Sequence, residues 1–132
     1  MKFRFLVGYT LILVAIIGYA LYPVIQEANK PINKFIREAK NSGSIPLVQF
    51  VIDEIQMEIA NKVIDNFNKT SPIKVSGNSF MSTKENLEFI EKFQSSVPGY
   101  VIFDADGNIA FRGKGVVDLR TLNNIISNVH MH

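Results

Sequence analysis

An uninterrupted apolar run near the N-terminus constrains this chain more than any other feature. Residues 5–25, FLVGYTLILVAIIGYALYPVI, include no Asp, Glu, Lys or Arg. At about 1.5 Å per residue, a helix over these twenty-one residues is long enough to cross the hydrocarbon core of a bilayer. A soluble core helix is rarely apolar on every side over such a length. The run therefore predicts one transmembrane helix, with the lipid bilayer as a partner.

A cleaved signal peptide is the main alternative to a permanent anchor. Lys2 and Arg4 form a charged start, and Gly18 and Ala20 are small enough for a cleavage site. Because the apolar run continues beyond them to Ile25, retention is favoured. Basic residues lie on both sides of the run, so the positive-inside rule alone does not give its orientation. The short basic N-terminus favours a signal anchor, which predicts a single-pass protein of the inner (plasma) membrane with its domain on the periplasmic side.

The predicted membrane helix also has small residues, which allow another helix to approach closely. They indicate contact with other protein subunits of a membrane complex. These residues are Gly8, Ala15, Gly18 and Ala20.

Composition excludes several classes of function. Lys plus Arg number 14 and Asp plus Glu 12, and the surplus is Lys2 and Arg4 ahead of the apolar run. The rest of the chain is formally neutral, which argues against a nucleic-acid partner. There is no cysteine, so disulfides, thiolate metal sites and thiol redox chemistry are excluded. Both histidines lie at the C-terminus, so no Ser-His-Asp triad is indicated. We predict no enzyme, no cofactor and no metal.

Beyond residue 26 the hydrophobic period alternates between helix and strand. The strand LVQFVI is apolar except for Gln49, as expected of a strand buried on both faces. After a first helix the predicted order is βαβαββα. The first predicted helix begins at Pro31, has Ile32, Phe35, Ile36 and Ala39 on one face, and is ended by residues 41–44. The strand over 47–52, a helix over 53–69 and a short strand over 73–76 follow, and then a helix carrying Leu87, Phe89, Ile90 and Phe93. The last predicted elements are the strands GYVIF and NIAFRG and a C-terminal helix with Leu119, Leu122, Ile125, Ile126 and Val129 on one side.

Short-range signals mark helix starts and one turn. An acidic or hydroxyl residue three positions before Gln or Glu predicts a capping box. The predicted boxes are Asp53 with Gln56 and Ser82 with Glu85, and Asp118 alone predicts an N-cap. The loop containing Asp106 and Gly107, between two strand-like runs, predicts a hairpin with a positive φ at the glycine.

The segment VPGYVIFDADGNI, residues 97–109, resembles the thioredoxin-like superfamily, particularly its membrane-anchored periplasmic members and peroxiredoxin relatives. The resemblance implies a three-layer α/β sandwich over residues 45–132, after an anchor over 1–26 and a juxtamembrane helix and linker over 27–44. It also implies a structural cis-proline at Pro98 and a groove for extended polypeptide at Val97, Pro98 and Gly99. A different α/β sandwich with the same hairpin stays open.

The departure from that superfamily concerns the first strand, which in thioredoxins leads into a CxxC motif. Here the corresponding residues, 50–56, are FVIDEIQ. Asp53 and Glu54 are suited to a helix cap and first turn. The resemblance without the cysteines predicts a non-catalytic domain, acting as a bitopic subunit or an accessory or assembly factor of an inner-membrane or envelope complex.

Three further groups of residues have a chemical alternative beside a structural one. Asp104, Asp106 and Asn108 partly match a calcium loop, but the required glycine and closing glutamate are absent, so a turn is favoured. Lys114 between glycines fits a solvated turn better than a phosphate site. A tail at residues 130–132, His-Met-His, could bind copper or nickel. Copper delivery through this tail is the alternative function.

Overall fold

A computed structural model of the protein describes Val14 and residues 26–130, the side chains of residues 129 and 130 excepted. Apart from Val14, the predicted membrane helix, with Gly8, Ala15, Gly18 and Ala20, lies outside the described residues. In the part that is described, no helix combines the length and apolar character needed to cross a membrane. The transmembrane anchor therefore stays a prediction from the sequence.

The chain divides into two compact units, Met1–Lys34 and Phe35–His132. In the first unit, Lys30 forms an ion pair with Glu27 at 2.7 Å, and the Asn33 amide donates to the Glu27 carbonyl at 2.8 Å. The second unit contains the whole β-sheet. The domain boundaries predicted after residues 26 and 44 stay predictions.

The order of elements after the first helix is βαβαββα, as the sequence predicted. The sheet has four strands in the order β2-β1-β3-β4. Strand β1 is parallel to β2 and antiparallel to β3, and β3 and β4 form the predicted antiparallel hairpin. The elements are α1 Pro31–Asn41, β1 Ile45–Val51, α2 Glu54–Thr70, β2 Val75–Met81, α3 Leu87–Lys92, β3 Gly99–Phe103, β4 Ile109–Lys114 and α4 Leu119–His130.

Helices cover both faces of the sheet, which gives three layers. On one face, α2 and α4 pack on alternate residues of the strands. That core consists of Leu47, Ala60, Ile64, Phe67, Val75, Tyr100, Ile102, Val117, Leu122, Ile125 and Ile126. On the other face, Phe35 of α1 meets Phe80 of β2 with ring centroids 6.1 Å apart, and Phe93, just after α3, meets Phe103 of β3 at 5.3 Å. Because β1 and β3 are covered on both sides, they are the most continuously buried strands.

Two local predictions are wrong. The strand predicted over residues 73–76 is β2, which begins at Val75 and continues to Met81. Its centre contains Gly77 and Asn78, which have low strand propensity, but seven residues pair in register with β1. The predicted capping box of Ser82 with Glu85 is absent: α3 begins only at Leu87. Its N-cap is Asn86, whose side chain makes no capping bond and donates to the Met81 carbonyl.

Asp118 caps α4 as predicted. One carboxylate oxygen accepts from the Thr121 backbone N–H at 2.7 Å, and the other accepts from the Thr121 hydroxyl at 2.9 Å. The backbone hydrogen bond, and after it the hydroxyl, hold the pKa of Asp118 below its usual range. The carboxylate therefore stabilises the start of α4 in its ionised form.

Replacing Asp118 with alanine is expected to lower the free energy of unfolding by about 1 kcal/mol, because an N–H at the helix start loses its acceptor. Since folding lowers this pKa, the contribution is present above the unfolded-state pKa and is lost as pH falls through the folded-state value. Urea unfolding of wild type, Asp118→Ala and Asp118→Asn between pH 7 and pH 2 measures this. Asn retains an acceptor and should lose less than Ala; equal wild-type and Ala stabilities at pH 7 would contradict the capping role.

Candidate partner-binding site

The junction of β1 and α2 is the position that holds CxxC in the superfamily that the sequence resembles. Two residues, Ile52 and Asp53, form the connection. Asp53 accepts from the Gln56 backbone N–H, and the Gln56 side-chain oxygen accepts from the Ile52 N–H, both at 2.9 Å. The Asp53 half of the predicted capping box is therefore confirmed, whereas Gln56 bonds to the residue before the N-cap and not to the N-cap itself. Asp53 therefore has a structural role at the helix start.

An exposed apolar surface begins at this junction. Ile52 is 54% exposed, Ile55 is 70% exposed and Ile59 is 48% exposed. Ile55 and Ile59 lie one turn apart on α2, and we call these three side chains the α2 ridge. Glu54 and Glu58, both exposed, form the neighbouring row along the same helix. The start of α2 thus presents isoleucines beside carboxylates, away from its buried residues Ala60, Ile64 and Phe67.

Val97 and Pro98 lie at the same end of the sheet. The Val97–Pro98 peptide bond is cis. Gly99 pairs with Phe50 across the antiparallel β1/β3 ladder, so the two residues before it continue the chain past the end of β1, where α2 begins. Val97 is 37% exposed. The Pro98 carbonyl accepts from the Gly115 N–H at 2.8 Å, so this segment is joined to the residues that follow β4.

Gly99 has a different role from the one implied by the resemblance. It is buried, and a Cβ atom at this position would overlap the backbone carbonyl and hydroxyl oxygens of Ser96. The glycine therefore accommodates the turn before β3 and does not open a groove. The predicted partner groove at Val97, Pro98 and Gly99 stays a prediction, with Val97 and Pro98 as its accessible members.

Gln49 is the side chain that organises this end of the sheet. It is fully buried in β1. Its amide nitrogen has two hydrogens, which it shares among the carbonyls of Gly99 at 3.0 Å, Gly115 at 3.1 Å and Phe50 at 3.1 Å. Its amide oxygen accepts from the Val117 N–H at 3.0 Å. One side chain thus joins β1 to the start of β3 and to the loop after β4. The sequence signal was the single polar residue in LVQFVI, to which no role could be assigned.

Tyr100 is the buried titratable side chain of this region, and it is 4% exposed. Burial raises its pKa above the usual value, and the negative charge of Asp118 raises it further. The phenol is therefore neutral over the physiological pH range. Its position against Gly113 gives it a packing role, not an acid–base role.

The Asp104 carboxylate holds the β3–β4 turn. One oxygen accepts from the backbone N–H groups of Asp106 at 2.9 Å and Asn108 at 3.0 Å. Gly107 has the predicted positive φ, at +85°. The structural alternative for these residues therefore accounts for the carboxylate without calcium. Within the described residues, no group of three His, Cys, Asp or Glu is arranged to hold a metal ion.

The remaining chemical alternatives do not enter the site. Lys114 lies in β4 and not in a turn, and it is exposed. The His130 side chain and residues 131 and 132 lie outside the described part of the chain, so copper delivery stays a prediction. A cleft of about 440 Å³ lies between the end of α2 and α4, and its lining contains no titratable side chain. The lining residues are Phe67, Thr70, Ser71, Pro72, Ile73, Asn123, Ile126 and Ser127.

Comparison with known proteins identifies the fold. No protein-family model matches the chain, and no curated protein matches its sequence. Among solved structures, the reduced desulfothioredoxin of Desulfovibrio vulgaris Hildenborough has a TM-score of 0.53 at 22% identity, over 70% of this chain and 88% of that one. A thioredoxin from Thermus thermophilus has 0.51 at 14% identity, over 74% and 83%. The disulphide isomerase of Xylella fastidiosa Temecula1 has 0.50 at 18% identity, over 76% and 86%.

The domain has a thioredoxin-like fold. Identities this low establish the architecture and not a shared activity. A thioredoxin-like domain without cysteine has no thiolate to attack a disulfide, so it cannot carry out thiol–disulfide exchange. At the β1–α2 junction it instead has Ile52, the Asp53 N-cap and the first turn of α2.

Proposed function

We propose that this chain is a non-catalytic, membrane-anchored thioredoxin-like protein, serving as a bitopic subunit or an accessory or assembly factor of an inner-membrane or envelope complex. The uncharged run over residues 5–25 supports the anchor. The fold without cysteine supports binding in place of redox chemistry. The observation that carries the proposal is the α2 ridge, which leaves Ile52, Ile55 and Ile59 exposed at the helix start.

The energetics of the α2 ridge favour a protein partner. Burying one isoleucine side chain contributes about 1.5–3 kcal/mol, and three exposed isoleucines in a row forgo much of that gain. A row of this kind, next to polar residues, is typical of an interaction surface. The adjacent Glu54 and Glu58 repel anionic lipid headgroups. They also oppose pairing of two copies through this surface. The favoured occupant is an apolar segment of another protein with basic residues beside it.

Substitution of the ridge is expected to release the partner without unfolding the domain. Full-length tagged protein is extracted from its native membrane in mild detergent, and the chains that accompany it are quantified. Ile55→Ser with Ile59→Ser should reduce the co-purified chains at least about tenfold, because two exposed apolar anchors are removed. The change in thermal unfolding temperature should be small, since Ile55 is 70% exposed and Ile59 is 48% exposed in the folded domain.

A matched control substitutes two exposed leucines elsewhere in the same domain. Leu87 is 48% exposed and Leu119 is 42% exposed, and each lies at the start of a different helix. Leu87→Ser with Leu119→Ser should leave co-purification at the wild-type level. Equal loss in both double variants would contradict the α2 ridge as the contact. Recovery of the wild-type chain only as a lone monomer would contradict the proposed subunit role itself.

A further inference from the structure

The two edges of the sheet differ in whether their outward backbone groups are occupied. On edge strand β2, Asn68 accepts from the Val75 N–H at 2.9 Å and donates to the Val75 carbonyl at 2.8 Å. Asn78 accepts from the Ser79 N–H, and Asn86 donates to the Met81 carbonyl, each at 2.9 Å. These asparagine amides occupy positions where a neighbouring strand would bond. At Val75, Ser79 and Met81, edge β2 is thereby partly protected against strand addition.

Edge strand β4 lacks such protection. The Gly115 N–H bonds back to Pro98, and successive residues of an antiparallel strand alternate between inward and outward bonding. The backbone groups of Arg112 and Lys114 therefore point away from the sheet, as the register with Val101 and Gly99 requires. Among residues 26–130, no side chain bonds to these outward groups. The free edge can thus form two pairs of ladder hydrogen bonds.

The two faces of β4 differ in chemistry. Arg112 and Lys114 alternate along the strand, so their side chains share one face, and both are exposed. Neither forms an ion pair with a described carboxylate; Arg112 donates through Nε to the Phe93 carbonyl. On the opposite face Phe111 is 38% exposed, with its ring centroid 6.1 Å from that of Tyr100. The edge therefore presents a basic face and an aromatic face.

We propose that the β4 edge binds an extended, acidic segment of a partner protein, which adds as a fifth strand. Residues directly opposite each other in a ladder share a face, so the added strand would place two carboxylates opposite Arg112 and Lys114 and an apolar residue near Phe111. A second copy of β4 is a poor occupant, because its basic side chains would lie against these two. This surface is separate from the α2 ridge and does not depend on it.

Alternating peptides test the strand addition directly. Full-length chain in a neutral detergent is titrated with a fluorescent Glu-Val-Glu-Val-Glu-Val peptide, and its anisotropy is followed. The control peptide has the same sequence with N-methylated glutamates, which keeps its charge but removes the N–H groups that would face β4. We expect it to bind about tenfold more weakly or worse. A Lys-Val-Lys-Val-Lys-Val peptide should not bind.

Substitutions at Lys114 separate backbone pairing from charge. Lys114→Ala removes one charge and retains the outward N–H, whereas Lys114→Pro removes both, and proline is tolerated where an edge N–H faces solvent. Affinity should fall in the order wild type, Ala, Pro, with the last step about fivefold. Raising the salt concentration should reduce the first step more than the second. Circular dichroism and thermal unfolding establish that each variant is folded.

Each outcome either supports or overturns strand addition at β4. Equal binding of the N-methylated peptide, or equal affinities of folded Ala and Pro variants, would overturn strand addition. Failure of the unmodified Glu-Val-Glu-Val-Glu-Val peptide to bind would overturn it as well. A wild-type dimer that Lys114→Pro dissociates would assign the edge to a second copy, against the proposal. Ile55→Ser with Ile59→Ser should leave peptide affinity unchanged. Failure of strand addition at β4 is therefore distinguishable from failure of the α2 ridge as a partner contact.

Discussion

Gln49→Leu is expected to lower the free energy of unfolding by about 3–4 kcal/mol, because it removes a buried side chain that bonds to several backbone groups. Leucine matches the volume approximately but has no polar atom. The carbonyl of Gly115 and the N–H of Val117 would lose their bonds to the buried amide, and the carbonyl of Gly99 would lose one of its donors. Each buried polar group left without a partner costs about 1–3 kcal/mol. Urea unfolding followed by circular dichroism measures the loss.

Gln49→Glu supplies the matched variant for this prediction. Its shape is almost unchanged, but a carboxylate would place oxygen against the carbonyls of Gly99 and Gly115. Burial and these acceptors should raise its folded-state pKa above the unfolded value of about 4.3. Relative to wild type, the variant should therefore be most stable at low pH and lose stability as pH rises above that value. A pH-independent difference, or a Leu variant as stable as wild type, would contradict the assigned network.

Gly113→Val is expected to lower the free energy of unfolding by about 2–3 kcal/mol through overpacking. Gly113 pairs with Tyr100 across the β3–β4 ladder, and the buried tyrosine ring lies over it. A Cβ atom at Gly113 would overlap ring carbons of Tyr100, which has core side chains around it and little room to move. Urea unfolding of this variant beside wild type gives the magnitude.

A double-mutant cycle identifies the ring as the cause. In a Tyr100→Ala background the space above Gly113 is free, so Gly113→Val should become neutral or stabilising, since valine favours strands. Ala110→Val, an exposed position on the same strand, should change stability by less than about 0.5 kcal/mol. An unchanged cost of Gly113→Val without the ring would refute the packing explanation.

Local signals in the sequence predicted the elements whose stabilising contacts lie within a few residues. Asp53 with Gln56, and Asp118 with Thr121, bond across three positions, so residue identity and spacing suffice. The β3–β4 hairpin is similar, because the Asp104 carboxylate and the positive φ of Gly107 are properties of the turn itself. The same kind of signal failed at Ser82, where Asn86 bonds to the end of β2 and α3 begins later.

The α2 ridge shows how a candidate site could be only partly predicted. The helix over residues 53–69 was predicted from the sequence, in which Ile55 and Ile59 recur at helical spacing with the other apolar residues. Periodicity alone does not separate the side of the helix that packs on the sheet from an adjoining apolar row that remains exposed. That separation depends on how α2 lies over β1 and β2, which buries Ala60, Ile64 and Phe67 and leaves Ile55 and Ile59 exposed.

The sequence by itself determined the exclusion of thiol chemistry, the order of the elements and the uncharged run over residues 5–25, because each follows from residue identity or near-neighbour spacing. Only the tertiary structure decided the length of β2, the bonding of Gln49 and which strands form the edges of the sheet. All three depend on strands far apart in the chain being brought into register. The hydrogen bonds that join those strands exist only once that register is formed.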